Sequence, residues 1–232
     1  MAENQSPLAR IVAALRRLYG PPDPPEVTDP WEMVLFESIA YLATDERRRA
    51  AWKELKARIG VRPEQILAAK ASALLPIARA GILAADRVER VKDAAAIVVR
   101  DFGGDLAGAL DDSRAATRTR QALRKFPGIG EPGAEKILLF SRREKVLALE
   151  SNGLRVLLRL GYGREEKSYA ASYRSVREAT RPEIRSDFSW LIAAHQLLRR
   201  HGRELCRRSR PLCDRCPLTH ECAYFRSNAL GA

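Results

Sequence analysis

The sequence predicts an all-α protein, and three observations carry that prediction. Ala, Leu, Arg and Glu dominate the chain, and these residues lose little side-chain freedom in a helix. Apolar residues recur at spacings of three and four, as in Leu8, Ile11, Val12, Leu15 and Leu18, then Trp31, Val34, Leu35, Ile39 and Leu42. No sustained β-branched alternation occurs, and no repeat of fixed period is found.

The elements follow in order. The first apolar stripe places a helix before Gly20. The segment Gly20 to Pro30, GPPDPPEVTDP, is a connector, because proline removes a donor and clashes with the preceding turn. Thr28 or Asp29 then offers an N-cap for a helix beginning near Trp31. Shorter helices are predicted over 46–59, 63–71, 80–101, 115–125, 132–140, 150–160, 168–179 and 184–200. Breaks fall at Gly60, Gly103-Gly104, Gly128-Ile129-Gly130, Gly161-Tyr162-Gly163 and Arg181-Pro182.

Composition narrows the partners. At 46% hydrophobic and 30% charged, 232 residues can bury a core of one large domain or two lobes. No apolar run reaches the roughly 20 residues that span a bilayer. The start, MAENQSPLAR, has no apolar stretch of the secretory kind, so a cytoplasmic location is expected (nucleoid-associated in a bacterium), with no membrane partner. Lys+Arg number 41 against 29 Asp+Glu, a formal charge of +12. Between Arg199 and Arg210 stand six arginines and one acid, Glu204. So clustered a positive charge points to a polyanion, above all nucleic acid.

Two motifs carry chemistry. In Phe126-Pro127-Gly128-Ile129-Gly130, two glycines flank one apolar residue between helical stretches. The chain can reverse tightly there, Ile129 plugging the core while backbone N–H groups face outward to hold a phosphate. An ordinary helix–turn–helix connection fits the same residues. The second motif is Cys206-x6-Cys213-x2-Cys216-x5-Cys222, which holds all four cysteines in the last 27 residues. Four clustered thiols read as metal ligands. Zinc and a [4Fe–4S] cluster both accept four thiolates, and spacing physics alone does not separate them.

Taken together, these residues resemble the endonuclease III/MutY branch of the helix–hairpin–helix DNA glycosylases. The 6-2-5 cysteine spacing is that family's [4Fe–4S] signature, and His201 to Cys206 resembles the segment leading into its first ligand. Phe126 to Gly130 resembles its hairpin, and Ala43-Thr44-Asp45 its early Ala-Thr-Asp element. Ala148 to Val156 falls where the family carries its catalytic aspartate. The likeness spans roughly residues 30–225. It implies a two-lobed all-α fold with an interlobe cleft and a C-terminal iron–sulfur loop. A helical barrel is expected over 31–140, with the helix–hairpin–helix at about 115–140. The other lobe is expected from 1–30 plus 141–232, with the cluster at 206–222.

The resemblance also implies the chemistry: a base-excision glycosylase, monomeric, acting on double-stranded DNA with a [4Fe–4S] cofactor. Bifunctional members use a lysine just after the hairpin as an amine nucleophile. That position is Pro132 here, which has no nucleophilic nitrogen, so a monofunctional enzyme is expected. Lys136, one turn on, is either a substitute amine or a solvated side chain. Glu150 stands at the aspartate position. It either stabilises an oxocarbenium-like sugar or serves as an N-terminal helix charge. Glu37 resembles the catalytic acid of MutY members, or belongs to a polar stripe with Tyr41 and Thr44. Asn152 and Arg155 also follow the MutY pattern.

Leu42 stands where relatives often carry a glutamine. It is read as an apolar wedge filling the gap of a flipped base, or as core. Tyr41 is read as a stacking platform or as packing. Gly128, Ile129, Gly130, Arg207, Arg208 and Arg210 complete the expected DNA contacts. His195 and His201 are read as structural, and Trp190 as core. The rival functions are a DNA-binding member of the same fold with lost or altered catalysis, recognising unusual DNA structures, and a zinc-stabilised DNA-binding protein.

Overall fold

The computed structural model describes residues 6–111 and 116–229, and among these there is no β-strand. The first residue of the expected 115–125 helix lies outside them. Two compact units form: one from residues 25–144, the other from the described residues up to Pro24 together with those from Lys145 onward.

In the 25–144 unit the helices are α2 (Pro30–Ile39), α3 (Asp45–Arg58), α4 (Pro63–Ala68), α5 (Ala71–Ala78), α6 (Ala84–Phe102), α7 (Leu106–Leu110), α8 (Ala116–Leu123) and α9 (Glu131–Phe140), following α1 (Pro7–Tyr19) of the other unit. Asp29 caps α2, its carboxylate accepting from the Glu32 N–H at 2.9 Å. Helix α6 is the axis of this unit, packed by α2, α4 and α5. Val91, Ala95 and Val98 on α6 meet a core containing Leu35, Ile39, Ile66, Leu74 and Ile77, all essentially inaccessible.

The helix expected over 80–101 begins instead at Ala84, because Gly81, Ile82 and Leu83 form a turn in which Leu83 is left-handed (φ 56°). The apolar stretch after Ala71 forms a separate helix, α5, with Pro76 inside it.

The second unit contains α1, α10 (Ser151–Leu160), α11 (Tyr169–Thr180), α12 (Phe188–Glu204) and α13 (Ala223–Ala229), with three single 3₁₀ turns. Helices α10 and α12 cross closely at Gly202, where a β-carbon would stand 2.5 Å from the carbonyl oxygen of Asn152. Only glycine fits that crossing without moving backbone. Trp190 is not core: it lies partly exposed near the start of α12, with the Arg185 guanidinium 5.8 Å from its ring. Among the described residues no helix is long and apolar enough to cross a membrane.

Candidate DNA-processing site and cysteine loop

The hairpin turn in the 25–144 unit is built as its residues dictate. Phe126 is buried and stacks on Phe102 at 6.1 Å. Ile129 is 8% exposed, while Gly128 and Gly130 are open to solvent. Gly128 is left-handed (φ 86°), which a side chain would strain. Gly130 is the N-cap residue of α9, and Glu131 and Pro132 begin the helix, the proline where a missing N–H costs nothing.

Glu37 and Lys136 meet, although 99 residues separate them: Nζ donates to Oε1 at 2.6 Å. Arg48 stands 3.5 Å from the other carboxylate oxygen. Glu37 is half-buried, so two cations flank one carboxylate. The polar stripe of Glu37, Tyr41 and Thr44 does not form, because α2 stops at Ile39 and Thr44 instead caps α3.

Leu42 is not core. It is 66% exposed and left-handed (φ 56°). A second turn is pressed against this one: the Ile82 N–H donates to the Tyr41 carbonyl at 3.0 Å, and a β-carbon on Gly81 would strike the same oxygen at 2.3 Å. That second turn carries Leu83, also left-handed and 60% exposed. A left-handed conformation is costly for a branched aliphatic residue, and neither leucine recovers the cost by burial. Leu83 was invisible to periodicity, where an apolar residue at a helix start reads as core. Tyr41 is exposed on one face, and the Arg87 guanidinium lies 3.9 Å from its ring centroid.

In the other unit Glu150 is the N-cap of α10. Its Oε1 accepts from the Gly153 N–H and its Oε2 from Asn152 Nδ2, each at 2.7 Å. Arg155 continues the chain of bonds. Its Nη2 donates to Asn152 Oδ1 (2.8 Å) and to the Gly202 carbonyl (2.7 Å), and its Nε to the Cys206 carbonyl (2.9 Å). Desolvation lowers the Arg155 pKa, and the Cys206 thiol is the largest opposing influence.

The cysteine loop follows α12. All four cysteines are free thiols and partly buried. Burial first, then nearness to Cys206 and Cys222, pushes the Cys213 thiol up. Cys216 is pushed up to about 11, mainly by burial, against which the Leu218 N–H donates to its sulfur at 3.4 Å. Arg159 reaches Cys206 Sγ at 3.4 Å and also donates to the carbonyls of Arg207 (2.7 Å) and Arg208 (3.0 Å). The side chains of Arg207, Arg208 and Arg210 are exposed on this fixed backbone, and Arg210 is left-handed (φ 51°).

His201 is buried between Tyr19 Oη, 3.1 Å from Nδ1, and Cys216 Sγ, 3.4 Å from Nε2. His195 is buried with Nδ1 2.7 Å from the Ala148 carbonyl. Both histidines are therefore structural in position. Among the described residues, no three His, Cys, Asp or Glu side chains are gathered closely enough to hold a metal ion.

This architecture has known counterparts. No family model matches the chain. Endonuclease III of Sulfolobus acidocaldarius is 26% identical over 196 residues, covering 84% of this chain and 82% of that protein. Endonuclease III of Thermotoga maritima is 23% identical over 204 residues, covering 88% and 87%. The solved structure of a non-covalent endonuclease III–DNA complex superposes with a TM-score of 0.75 at 20% identity, over 95% of this chain and 96% of that one.

The chain is therefore similar in sequence to endonuclease III over most of its length, and it has the helix–hairpin–helix glycosylase fold.

Proposed function

We propose that this protein is a monomeric base-excision DNA glycosylase, hydrolysing the N-glycosidic bond of a damaged or mismatched base without a lysine-dependent lyase step. The observation that carries the finer part is the Glu37–Lys136 pair. Pro132 removes the amine next to the hairpin, and the nearest replacement, Lys136, is bonded at 2.6 Å to a carboxylate. An ammonium engaged that way has no lone pair to attack a sugar carbon.

In this reading Leu42 and Leu83 are paired apolar wedges that occupy the gap left by an extruded base. Hydration of two exposed, strained leucines is unfavourable, and insertion into a base stack removes that cost. The Glu150 carboxylate supports the positive charge that grows on the sugar as the base departs. Glu37 delivers a proton to the leaving base and regains it from water, while Lys136 stays protonated and holds the carboxyl group in place. Arg207, Arg208, Arg210 and the hairpin N–H groups hold the DNA backbone.

Cys206, Cys213, Cys216 and Cys222 would hold a [4Fe–4S] cluster. The donor chemistry fits: four free, partly buried sulfurs lie on one short loop, and the Leu218 N–H and the Arg159 guanidinium are aimed at two of them. Such donors stabilise thiolate sulfur. Once bound, the cluster would cross-link the four thiolates and so fix the backbone that carries Arg207, Arg208 and Arg210.

The second reading, a non-catalytic DNA-binding protein, is favoured by Glu150, both of whose oxygens already accept bonds within its own helix turn. Duplexes bearing single lesions separate the two. Base release revealed only after alkali, and lost in Glu150→Gln, supports the monofunctional glycosylase. No release from any lesion, with unchanged binding in Glu150→Gln, overturns it.

A further inference from the structure

Arg87 lies near the start of α6. In the fold it is 7% exposed. Its guanidinium lies over the Tyr41 ring at 3.9 Å, and its Nε is buried with no hydrogen-bond partner. Its acidic contact is Asp86, whose Oδ2 lies 3.2 Å from Nη2. That carboxylate is shared, since Arg90 Nε lies 2.9 Å from the same oxygen. Two guanidinium groups against one carboxylate leave an excess positive charge, part of it out of water. A buried, under-neutralised cation is costly unless something completes it.

Both guanidinium groups point at the hairpin. A β-carbon on Gly128 would stand 3.7 Å from Arg90 Nη1 and 3.8 Å from Arg87 Nη1. Gly128 is solvent-facing and carries no side chain, so a ligand can approach between the turn and the two arginines. Helix α9 begins three residues later, at Glu131, adding the positive end of a ten-residue helix.

We propose that Arg87 and Arg90, together with the Gly128 turn, form a built-in seat for one phosphodiester oxyanion of the DNA backbone. Arg87 is its fixed element. The Tyr41 ring and the Asp86 carboxylate hold the guanidinium in place before DNA arrives, so little side-chain freedom is lost on binding. The same stack ties the hairpin seat to the turn that carries Leu42, so that one phosphate contact sets the register of the wedge. The inference rests on the DNA-binding reading above and goes beyond it by naming the cations of the seat.

The test is fluorescence anisotropy of a short undamaged duplex over a salt series, with melting temperature recorded for each protein. Wild type should show a steep fall of log affinity with log salt. Arg87→Gln and Arg90→Ala should each reduce that slope by about one, uniformly across duplex sequences. Arg87→Lys should keep the slope, because the charge remains, while binding more weakly. Arg100→Ala, an exposed arginine paired with Asp101, should leave both quantities unchanged.

An Arg87→Gln protein that melts like wild type and keeps the wild-type slope overturns the proposal. If Arg87→Gln does not fold, Arg90→Ala decides, since Arg90 is 37% exposed, and an unchanged slope there overturns it equally. Inorganic phosphate at constant ionic strength is the second arm. Stabilisation of wild type but not of Arg90→Ala, with identical DNA slopes, would assign the seat to a free anion and overturn the backbone assignment. Salt-independent or absent DNA binding by wild type would instead defeat the DNA-binding reading itself.

Discussion

Replacing Arg155 by methionine should loosen the junction of α10, α12 and the cysteine loop. The guanidinium makes three bonds, to the Cys206 carbonyl, the Gly202 carbonyl and Asn152 Oδ1, at 2.9, 2.7 and 2.8 Å. Methionine keeps the volume and removes every donor. A hydrogen bond to a charged group contributes about 1.5–3 kcal/mol, and an acceptor left buried without a partner costs about 1–3 kcal/mol. Water can reach part of this site, which is only partly buried, so the sum is discounted to about 3 kcal/mol.

At 2–4 °C per kcal/mol for a chain of this size, the melting temperature should fall by roughly 6–12 °C. Differential scanning calorimetry measures it, and iron per protein measures whether the loop still gathers its thiols. Arg155→Lys should recover only part of the loss, because one ammonium cannot span three acceptors in a fixed fork. A fall of less than about 1 °C in the methionine variant, with full iron content, would refute the view that Arg155 ties α10 to the first cysteine.

Three further outcomes follow from the same geometry. Gly202→Ala should destabilise by about 1–3 kcal/mol despite the better helix propensity of alanine, because its β-carbon meets the Asn152 carbonyl at 2.5 Å; thermal denaturation checks it. Leu42→Ala and Leu83→Ala should leave the fold intact, since both side chains face solvent, while the double variant slows base release at least tenfold more than it weakens binding to undamaged duplex; single-turnover kinetics beside anisotropy separates the two. Cys213→Ser should lower iron content and the melting temperature together, as read by metal analysis and the visible absorbance of the purified protein.

What the sequence made legible was whatever chemistry is carried by spacing. The cysteine loop and the glycine turn can be read because 6-2-5 thiols and two glycines around an isoleucine have few other uses. Helix ends were also near the mark where a side chain caps them, as at Asp29. Trp190, read as core, is an apolar residue on helical spacing, and periodicity assigns such residues to the core; for Leu42 the same spacing left wedge and core both open, and the fold exposes it. Whether the backbone turns left-handed at Leu42 and Leu83 depends on how two turns abut through Gly81, which lies outside any local window. Arg87, a charge on a helix, is buried against Tyr41 by tertiary packing that no local pattern reveals. The Glu37–Lys136 pair was hidden for a simpler reason, since nothing local connects residues so far apart.

The central claim is that base release here proceeds without an amine nucleophile. It is tested most directly by sodium borohydride reduction during turnover on a lesion-bearing duplex that the enzyme is shown to process. The account predicts free base with no covalent protein–DNA adduct in wild type, and still none in Lys136→Met even though that variant releases base more slowly. Efficient trapping by wild type, abolished in Lys136→Met, would contradict it and make Lys136 the nucleophile that Pro132 displaced.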